Sequence, residues 1–450
     1  LVGSYVRRAK AGANFKAPGP FHSEKAPSVY VSPAREIFHC FGCNAGGDVF
    51  RFISMIEGVE FPEALAMLAE RSGVVLKRED PRLTSERKRL FDAIEEATNY
   101  YQSQLAQNKS ALDYLRGRGV KDESIKSFRL GFAPDSWDGV LNYLKQKGYS
   151  GQEAEKAGLA ILSQRPDSPA RHYDRFRSRI MFPIFDPAGK TVGFSGRIFA
   201  KESNEGKYIN SPQTALYDKS RILYLWDRAK NDIRKENTCV LVEGQMDALM
   251  SHQSGVKNVV ATSGTALGAR HLELIKRLTP KLCLAFDTDE AGETASRRAF
   301  ELSLDSGFDV SIITVTSGKD PADTIHEDPD LWIKSVREAK PVIAFFLDNL
   351  KKKFSGDLHG LRSGAKTAVF PYIARLSDEI ERAHWIQEAA KTLELKEEPL
   401  WEELKHFSKS GDRSDKKNVK VAETQNLSAG RQDRRHLVEE RILGILSWQG

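Results

Sequence analysis

Three acids stand where two apolar runs end. Thr238-Cys-Val-Leu-Val242 stops on Glu243-Gly-Gln-Met-Asp247, and Lys281-Leu-Cys-Leu-Ala-Phe286 stops on Asp287-Thr-Asp289-Glu-Ala-Gly292. A short apolar run followed by turn residues reads as a buried parallel strand. Open α/β sheets form their sites at the carboxyl ends of such strands. Glu243, Asp287 and Asp289 are therefore expected together at one sheet edge. Convergent carboxylates suit Mg²⁺ (or Mn²⁺), hard cations that take oxygen ligands. A cation held this way clamps phosphates during phosphoryl or nucleotidyl transfer. One Asp after a strand would be read as a helix N-cap. A Glu-Gly and an Asp-x-Asp at two strand ends favour a site instead.

Two other groups of residues could do chemistry. Cys40-Phe-Gly-Cys43 has the tight turn that lets two thiolates bind one Zn²⁺. His39 beside it reads as surface or aromatic packing. The remaining cysteines, Cys239 and Cys283, fall inside the apolar strands and read as small core residues. That usage fits a reducing cytoplasm rather than a disulfide scaffold. Arg171, Arg175, Arg177 and Arg179 follow one another with Asp174 as the acid among them, directly before apolar Ile180-Met-Phe-Pro-Ile184. This pattern suits the edge of a basic groove. Thr262-Ser-Gly-Thr-Ala266 reads either as a glycine loop near the acids or as an ordinary strand-to-helix turn.

These residues need several bodies to carry them, because 450 residues exceed what one core can bury. Residues 1–77 form a small β unit with helices over 48–57 and 62–72; 78–88 is charged, contains a Pro and reads as a linker. Residues 89–236 open with helices and then show a hairpin, 180–185 and 191–194, across Asp186-Pro-Ala-Gly-Lys190. Residues 237–325 alternate strands (238–242, 258–262, 281–286, 308–315) with helices (245–254, 268–278, 290–304), the rhythm of a doubly wound parallel sheet. Residues 326–407 are helical and charged, which predicts a bundle; 408–434 has the composition of a flexible linker, and 435–450 resumes an apolar helix. The fold class is thus multidomain, α+β and α/β. No apolar stretch approaches the ~20 residues that cross a bilayer, no signal-peptide pattern opens the chain, and no membrane partner is expected. A start at Leu1 and an end just after the apolar pattern predict a piece of a longer product. The net charge of +6 permits nucleic-acid binding without requiring it.

The strand-Glu-Gly-x-x-Asp and strand-Asp-x-Asp-x-Ala-Gly segments resemble the Toprim domain of bacterial primases, topoisomerases and related nucleases. Flanking segments narrow the resemblance to the bacterial replicative primase. They are Pro20-Phe-His-Ser-Glu-Lys-Ala-Pro-Ser28 and His39-Cys-Phe-Gly-Cys43, which resemble its zinc-binding domain, then Tyr114-Leu-Arg-Gly-Arg-Gly119, Leu130-Gly-Phe-Ala-Pro134, Tyr173-Asp-Arg-Phe-Arg-Ser-Arg-Ile-Met-Phe-Pro-Ile184, Gly193-Phe-Ser-Gly-Arg197 and Lys207-Tyr-Ile-Asn-Ser-Pro212. They follow the family's order and cover most of residues 1–325. The resemblance implies a zinc-ribbon β domain, a mixed α/β subdomain, a Toprim sheet and a C-terminal helical bundle. It also implies a DNA-templated RNA polymerase that makes short primers for replication.

Residue by residue, the resemblance makes Glu243 a general acid/base or an indirect metal organiser, and Asp287 and Asp289 Mg²⁺ ligands. Asp320 carries over to a further metal acid. The next one falls on Ala322, with Asp323 one place along. Arg177, Arg197, Lys207, Asn210 and Lys219 are implied in nucleotide or template contacts. His22, Cys40 and Cys43 carry over as zinc ligands, whereas Gly19 stands where the family has its first Cys, so a closed four-ligand site is not predicted. Asp247 is either a feature of the fold or a surface acid. The implied partners are single-stranded DNA, ribonucleoside triphosphates, the replicative helicase and single-strand binding protein, in the cytoplasm. The competing readings are a catalytically weak single-strand binder, suggested by Gly19 and Ala322, and another Toprim enzyme such as a topoisomerase.

Overall fold

The computed structural model describes residues 1–6, 8–21, 27–59, 61–74, 81–163, 170–199, 206–285, 290–314, 320–376, 378–405 and 407. His22, Asp287, Asp289, the first residues of the expected linker and everything expected from 408 onward lie outside the described residues. The chain divides into two compact units, the first ending at Val342.

The first unit opens with a five-stranded antiparallel sheet in chain order: β1 (Ala9–Ala11), β2 (Asn14–Ala17), β3 (Val29–Ser32), β4 (Ile37–Cys40) and β5 (Gly46–Gly47). Helices α1 (Val49–Glu57) and α2 (Phe61–Ser72) follow. The Asp48 side chain caps α1 by accepting from the Arg51 amide at 2.8 Å, and Gly58 ends the helix at φ 68°, a left-handed conformation that costs glycine little. Phe21, Phe38 and Phe52 pack ring against ring and give this small sheet a core of its own with Val29, Ile53 and Ile56.

Helix α3 (Pro81–Gln107) differs from the expectation for 78–88: the chain is helical from Pro81 onward. Proline is tolerated at a first helical position, where its missing N–H has no partner to lose. Leu90, Ala93, Ile94, Ala97, Tyr101 and Leu105 recur at three- and four-residue spacing and are all buried. After it come α4 (Lys109–Gly117), α5 (Asp122–Ser127), β6 (Gly131–Ala133), α6 (Gly139–Gln146), α7 (Gly151–Lys156), β7 (Ala160–Ser163), β8 (Arg171–Asp174), β9 (Arg179–Phe185), β10 (Thr191–Ile198) and β11 (Tyr208–Asn210). They build a four-stranded sheet in the order β11-β10-β9-β6 and a separate β7-β8 pair. The expected hairpin is β9–β10, antiparallel, with the Asp186 carboxylate accepting from the Ala188 and Lys190 amides inside its turn.

Next come α8 (Trp226–Glu236), β12 (Cys239–Val242), α9 (Gln245–Ser254), β13 (Val259–Ala261), α10 (Ala269–Lys276), β14 (Lys281–Ala285), α11 (Glu290–Asp305), β15 (Asp309–Ile312), α12 (Pro321–Glu327), α13 (Pro329–Arg337) and β16 (Lys340–Pro341). The strand order is β13-β12-β14-β15-β16, parallel except for β16 at the edge. β12 and β13 are buried along their whole length, and Cys239 and Cys283 are core residues. α12 and α13 pack on α9, so they belong with the sheet. The second unit is helical: α14 (Val342–Lys353), α15 (Leu358–Ala368), α16 (Phe370–Arg375) and α17 (Glu379–Leu393). Phe346 stacks on Tyr372 with centroids 4.9 Å apart. Among the described residues no helix is long and apolar enough to cross a membrane.

Candidate active site

Glu243 leaves the end of β12 half-buried, at the carboxyl edge of the parallel sheet. Val242 pairs with Ala285, so β14 ends level with it. One turn into α9, Asp247 is 7% exposed, which excludes a surface acid. One of its carboxylate oxygens accepts from the Gly244 amide at 3.1 Å, and the other accepts from the Ala322 amide at 3.1 Å. Asp247 thus ties the loop after Glu243 to the loop that carries Asp320. Asp320 caps α12, accepting from the Asp323 amide at 2.7 Å. Asp323 pairs with Arg118 at 3.3 Å, an engagement that competes with a role as a metal ligand. Among the described residues no three His, Cys, Asp or Glu side chains come together as a metal cluster.

On the other side of Glu243, its carbonyl accepts from the Ser263 amide at 3.2 Å. Ser263 and Gly264 have φ of 60° and 73°, so Thr262-Ser-Gly-Thr-Ala266 is a left-handed turn rather than a simple exit from the strand. Asn210 donates from its side chain to the Ser263 carbonyl at 2.6 Å. Arg175 donates to the Asn210 carbonyl at 3.0 and 3.3 Å. Gln245, two residues after Glu243, donates to Ser195 Oγ at 2.7 Å in a buried contact. These bonds stitch β10 and β11 to the two loops beside Glu243. Lys219 is fixed by its backbone: its carbonyl bonds His271 Nε2 at 2.9 Å. Burial, and then the nearby Arg175 charge, lower the Lys219 pKa below the usual lysine range. Burial also lowers that of Arg175. An anion would offset the cost that burial imposes on each of these half-buried cations.

The other basic candidates sit differently. Arg197 donates to the Tyr208 hydroxyl at 3.3 Å and lies between the rings of Tyr114 and Tyr208. Lys207 is exposed where β11 begins. Arg177 lies 4.1 Å over the ring of Trp137, which is 58% exposed, and beside Tyr173. Arg175, not Arg177, reaches Asn210. Motif reading placed Arg175 only within a basic run and left Asp247 between a feature of the fold and a surface acid. The alternating Arg-x-Arg pattern identifies neither arginine as the inner one, and Asp247 looks like any first-turn acid until α12 docks on it.

In the small sheet, Cys40 is buried at the end of β4 and Cys43 is exposed in the turn after it. Ser28 Oγ lies 3.1 Å from Cys40 Sγ. Burial raises the Cys40 pKa, but hydrogen bonds from Ser28 and from the Cys43 and Gly42 amides outweigh it and leave the thiol below its usual range. A thiolate-favouring Cys40 with Cys43 three residues on is the donor chemistry zinc takes. His39 bonds Asn44 at 3.1 Å and packs edge-on against Phe41, the aromatic packing expected of it.

The family comparisons agree with this anatomy. A CHC2 zinc finger model matches residues 1–84, the N-terminal domain of the DNA primase catalytic core matches 100–230, and a Toprim-like model matches 240–325. A DNA primase of Listeria monocytogenes is 34% identical over 92% of this chain and 68% of its own length. The chain belongs to the bacterial DNA primase family. A DNA primase of Deinococcus radiodurans is 41% identical over 74% of this chain, which spans 57% of that relative's length. The Aquifex aeolicus primase, with its zinc-binding and RNA polymerase domains, aligns over 88% of this chain and 94% of its own with a TM-score of 0.60 at 29% identity. A primase catalytic domain bound to single-stranded DNA aligns over 69% of this chain and 98% of its own, with a TM-score of 0.58 at 31% identity. Matches to primases across all three regions favour this family over the topoisomerases that share the Toprim motif.

Proposed function

We propose that this chain carries the core of a DNA-templated RNA polymerase that synthesises short RNA primers on single-stranded DNA. The observation that carries the reading is one gathering around Asn210: the half-buried Glu243, the left-handed Ser263–Gly264 turn and the half-buried Arg175. An acid edge suits catalysis, and a half-buried cation beside it suits a triphosphate. Glu243 takes the proton from the primer 3′-hydroxyl or orients the groups that do. Asp287, Asp289 and Asp320 would hold Mg²⁺ (or Mn²⁺), since their all-oxygen donor set fits a hard cation. When bound, the cation neutralises charge at the attacking 3′-oxygen and the leaving pyrophosphate. Lys219 and Arg175 bind the triphosphate, with the Gly264 turn allowing backbone to approach a phosphate. Arg197 and Lys207 serve the nucleotide or the template.

The template also needs stacking surfaces. Trp137 with Arg177 and Tyr173 offers one on the core. Phe41, 71% exposed, with Tyr30, His39 and Lys16 offers another on the ribbon sheet. Exposed aromatic rings beside cations suit single strands of any sequence. Zinc would be held by His22, Cys40 and Cys43, weakly because Gly19 supplies no side-chain ligand. Residues 435–450 begin a helicase-interacting domain, most of whose contact lies beyond Gly450, and the compartment is the cytoplasm.

The test is template-dependent incorporation of labelled ribonucleotides on single-stranded DNA with Mg²⁺, beside Glu243→Gln. Short RNA made by the parent chain and not by the variant supports the reading. Equal synthesis by both removes Glu243 from it, and DNA binding without synthesis by either leaves a single-strand binder.

A further inference from the structure

Cations of the core meet the carboxyl end of α1. Lys230 of α8 forms an ion pair with Glu57, the last residue of α1, and donates to the Pro187 carbonyl at 2.8 Å. Arg234, one turn further along α8, donates to the Met55 and Ile56 carbonyls. Arg277, just past α10, donates to the Gly58 carbonyl at 3.4 Å. The last carbonyls of a helix lack intrahelical donors and carry the negative end of its dipole. These side chains supply both the missing donors and the opposite charge. Glu57, Lys230 and Arg234 are each 8% exposed, so the contact excludes water. Burial pushes Arg234 down to about 10, against the opposing pull of Glu57. Beside them Gly58 fits against Trp226 so closely that a Cβ there would lie 3.3 Å from the ring. Lys190 and Glu70 pair at 3.3 Å on the exposed rim and add little.

A buried ion pair is costly to break from one side, because the remaining charge is stranded away from water. We propose that Lys230, Arg234 and Arg277 form a clasp on the carboxyl end of α1, which carries the ribbon on its own core as one body in solution. The clasp is independent of the polymerase reading: it concerns which core a ribbon rides on, whatever that core does.

The test is a charge swap in the full chain, read by small-angle scattering and by amide exchange over 52–59 and 226–236. Glu57→Lys and Lys230→Glu should each expand the particle and speed exchange in both segments about a hundredfold, as a buried pair broken from one side implies. The double swap, Glu57→Lys with Lys230→Glu, should recover part of the compactness and protection that either single variant loses, because the ion pair re-forms while the Pro187 carbonyl stays without its donor, an outcome that a misfolded ribbon would not give. Dilution should leave the parent compact at the mass of one chain. Single variants that scatter and exchange like the parent would overturn the clasp, and so would a double swap no more compact or protected than either single variant. Compactness that appears only as dimers form would assign the ribbon to a second copy and overturn its seating on its own core.

Discussion

Asp247→Asn tests how the acid edge is held together. In the parent chain both carboxylate oxygens accept backbone N–H groups, from Gly244 and from Ala322, at a position 7% exposed. Asparagine is almost isosteric but keeps one oxygen. Its amide presents N–H to the second N–H, which is left unpaired in a dry place. A buried donor without a partner costs about 1–3 kcal/mol, and loss of a charged acceptor moves the figure to the upper part of that range. We expect a loss of about 2–3 kcal/mol for Asn and about 3–5 kcal/mol for Asp247→Ala, which strands both donors. Because Asp247 spans the loops of Glu243 and Asp320, loosening it should also weaken Mg²⁺ binding by about tenfold, the usual effect of losing an orienting partner. Denaturant unfolding gives the stability, calorimetric titration the Mg²⁺ affinity, and amide exchange of Gly244 and Ala322 in metal-free protein the clamp itself. Faster exchange at both amides without metal is the expected signature. If Mg²⁺ affinity collapses while both amides exchange as in the parent, Asp247 is a ligand and the clamp argument fails.

Other consequences are as direct. Gly131→Ala would set a Cβ 2.5 Å from Tyr101 Cβ and 2.8 Å from its carbonyl carbon, so β6 must move off α3; we expect about 3 kcal/mol of destabilisation by overpacking, and an unchanged melting temperature would refute it. Burial outweighs the hydrogen bonds from the Val140 and Leu141 amides and raises Asp174 to about 6. With a folded pKa above the unfolded value, its contribution is full below about pH 4 and is lost as pH rises through about 6. Unfolding free energy at pH 5 relative to pH 7 should therefore be less favourable to the folded state in Asp174→Asn than in the parent, the full window being worth about 3 kcal/mol, and identical pH slopes would contradict this. Lys219→Met should weaken ribonucleoside triphosphate binding about tenfold or more, read by equilibrium titration, because it removes one of two cations from the proposed phosphate pocket. Zinc should be lost to a moderate chelator; one zinc per chain that survives chelation would mean a fourth ligand replaces the one missing at Gly19.

Much of the architecture was legible because its signals are local. Apolar runs ending on Glu243 and Asp287, with helical patterns between them, specify a β–α alternation by period alone, and α9 spans Gln245–Ser254 as the pattern predicts. The Pro/Gly turn at 186–190 announced its hairpin because turn chemistry is written in neighbouring residues. The helix from Pro81 was less legible: its charged first turns look like a linker, and its stability comes from the buried face that begins at Leu90.

By itself, then, the sequence determined the β–α alternation, the hairpin and the place of Glu243 at a strand end, since each depends on residue type and short spacing. Tertiary structure decided the rest. Which strands neighbour one another, the antiparallel β16 edge, the choice of Arg175 over Arg177 at Asn210, and the bond from Asp247 to Ala322 all join residues far apart in the chain. So does the grip of Lys230, Arg234 and Arg277 on α1. Such contacts depend on how faces dock after the elements form, and a buried charge finds its partner only when that docking expels the water that would otherwise hold it.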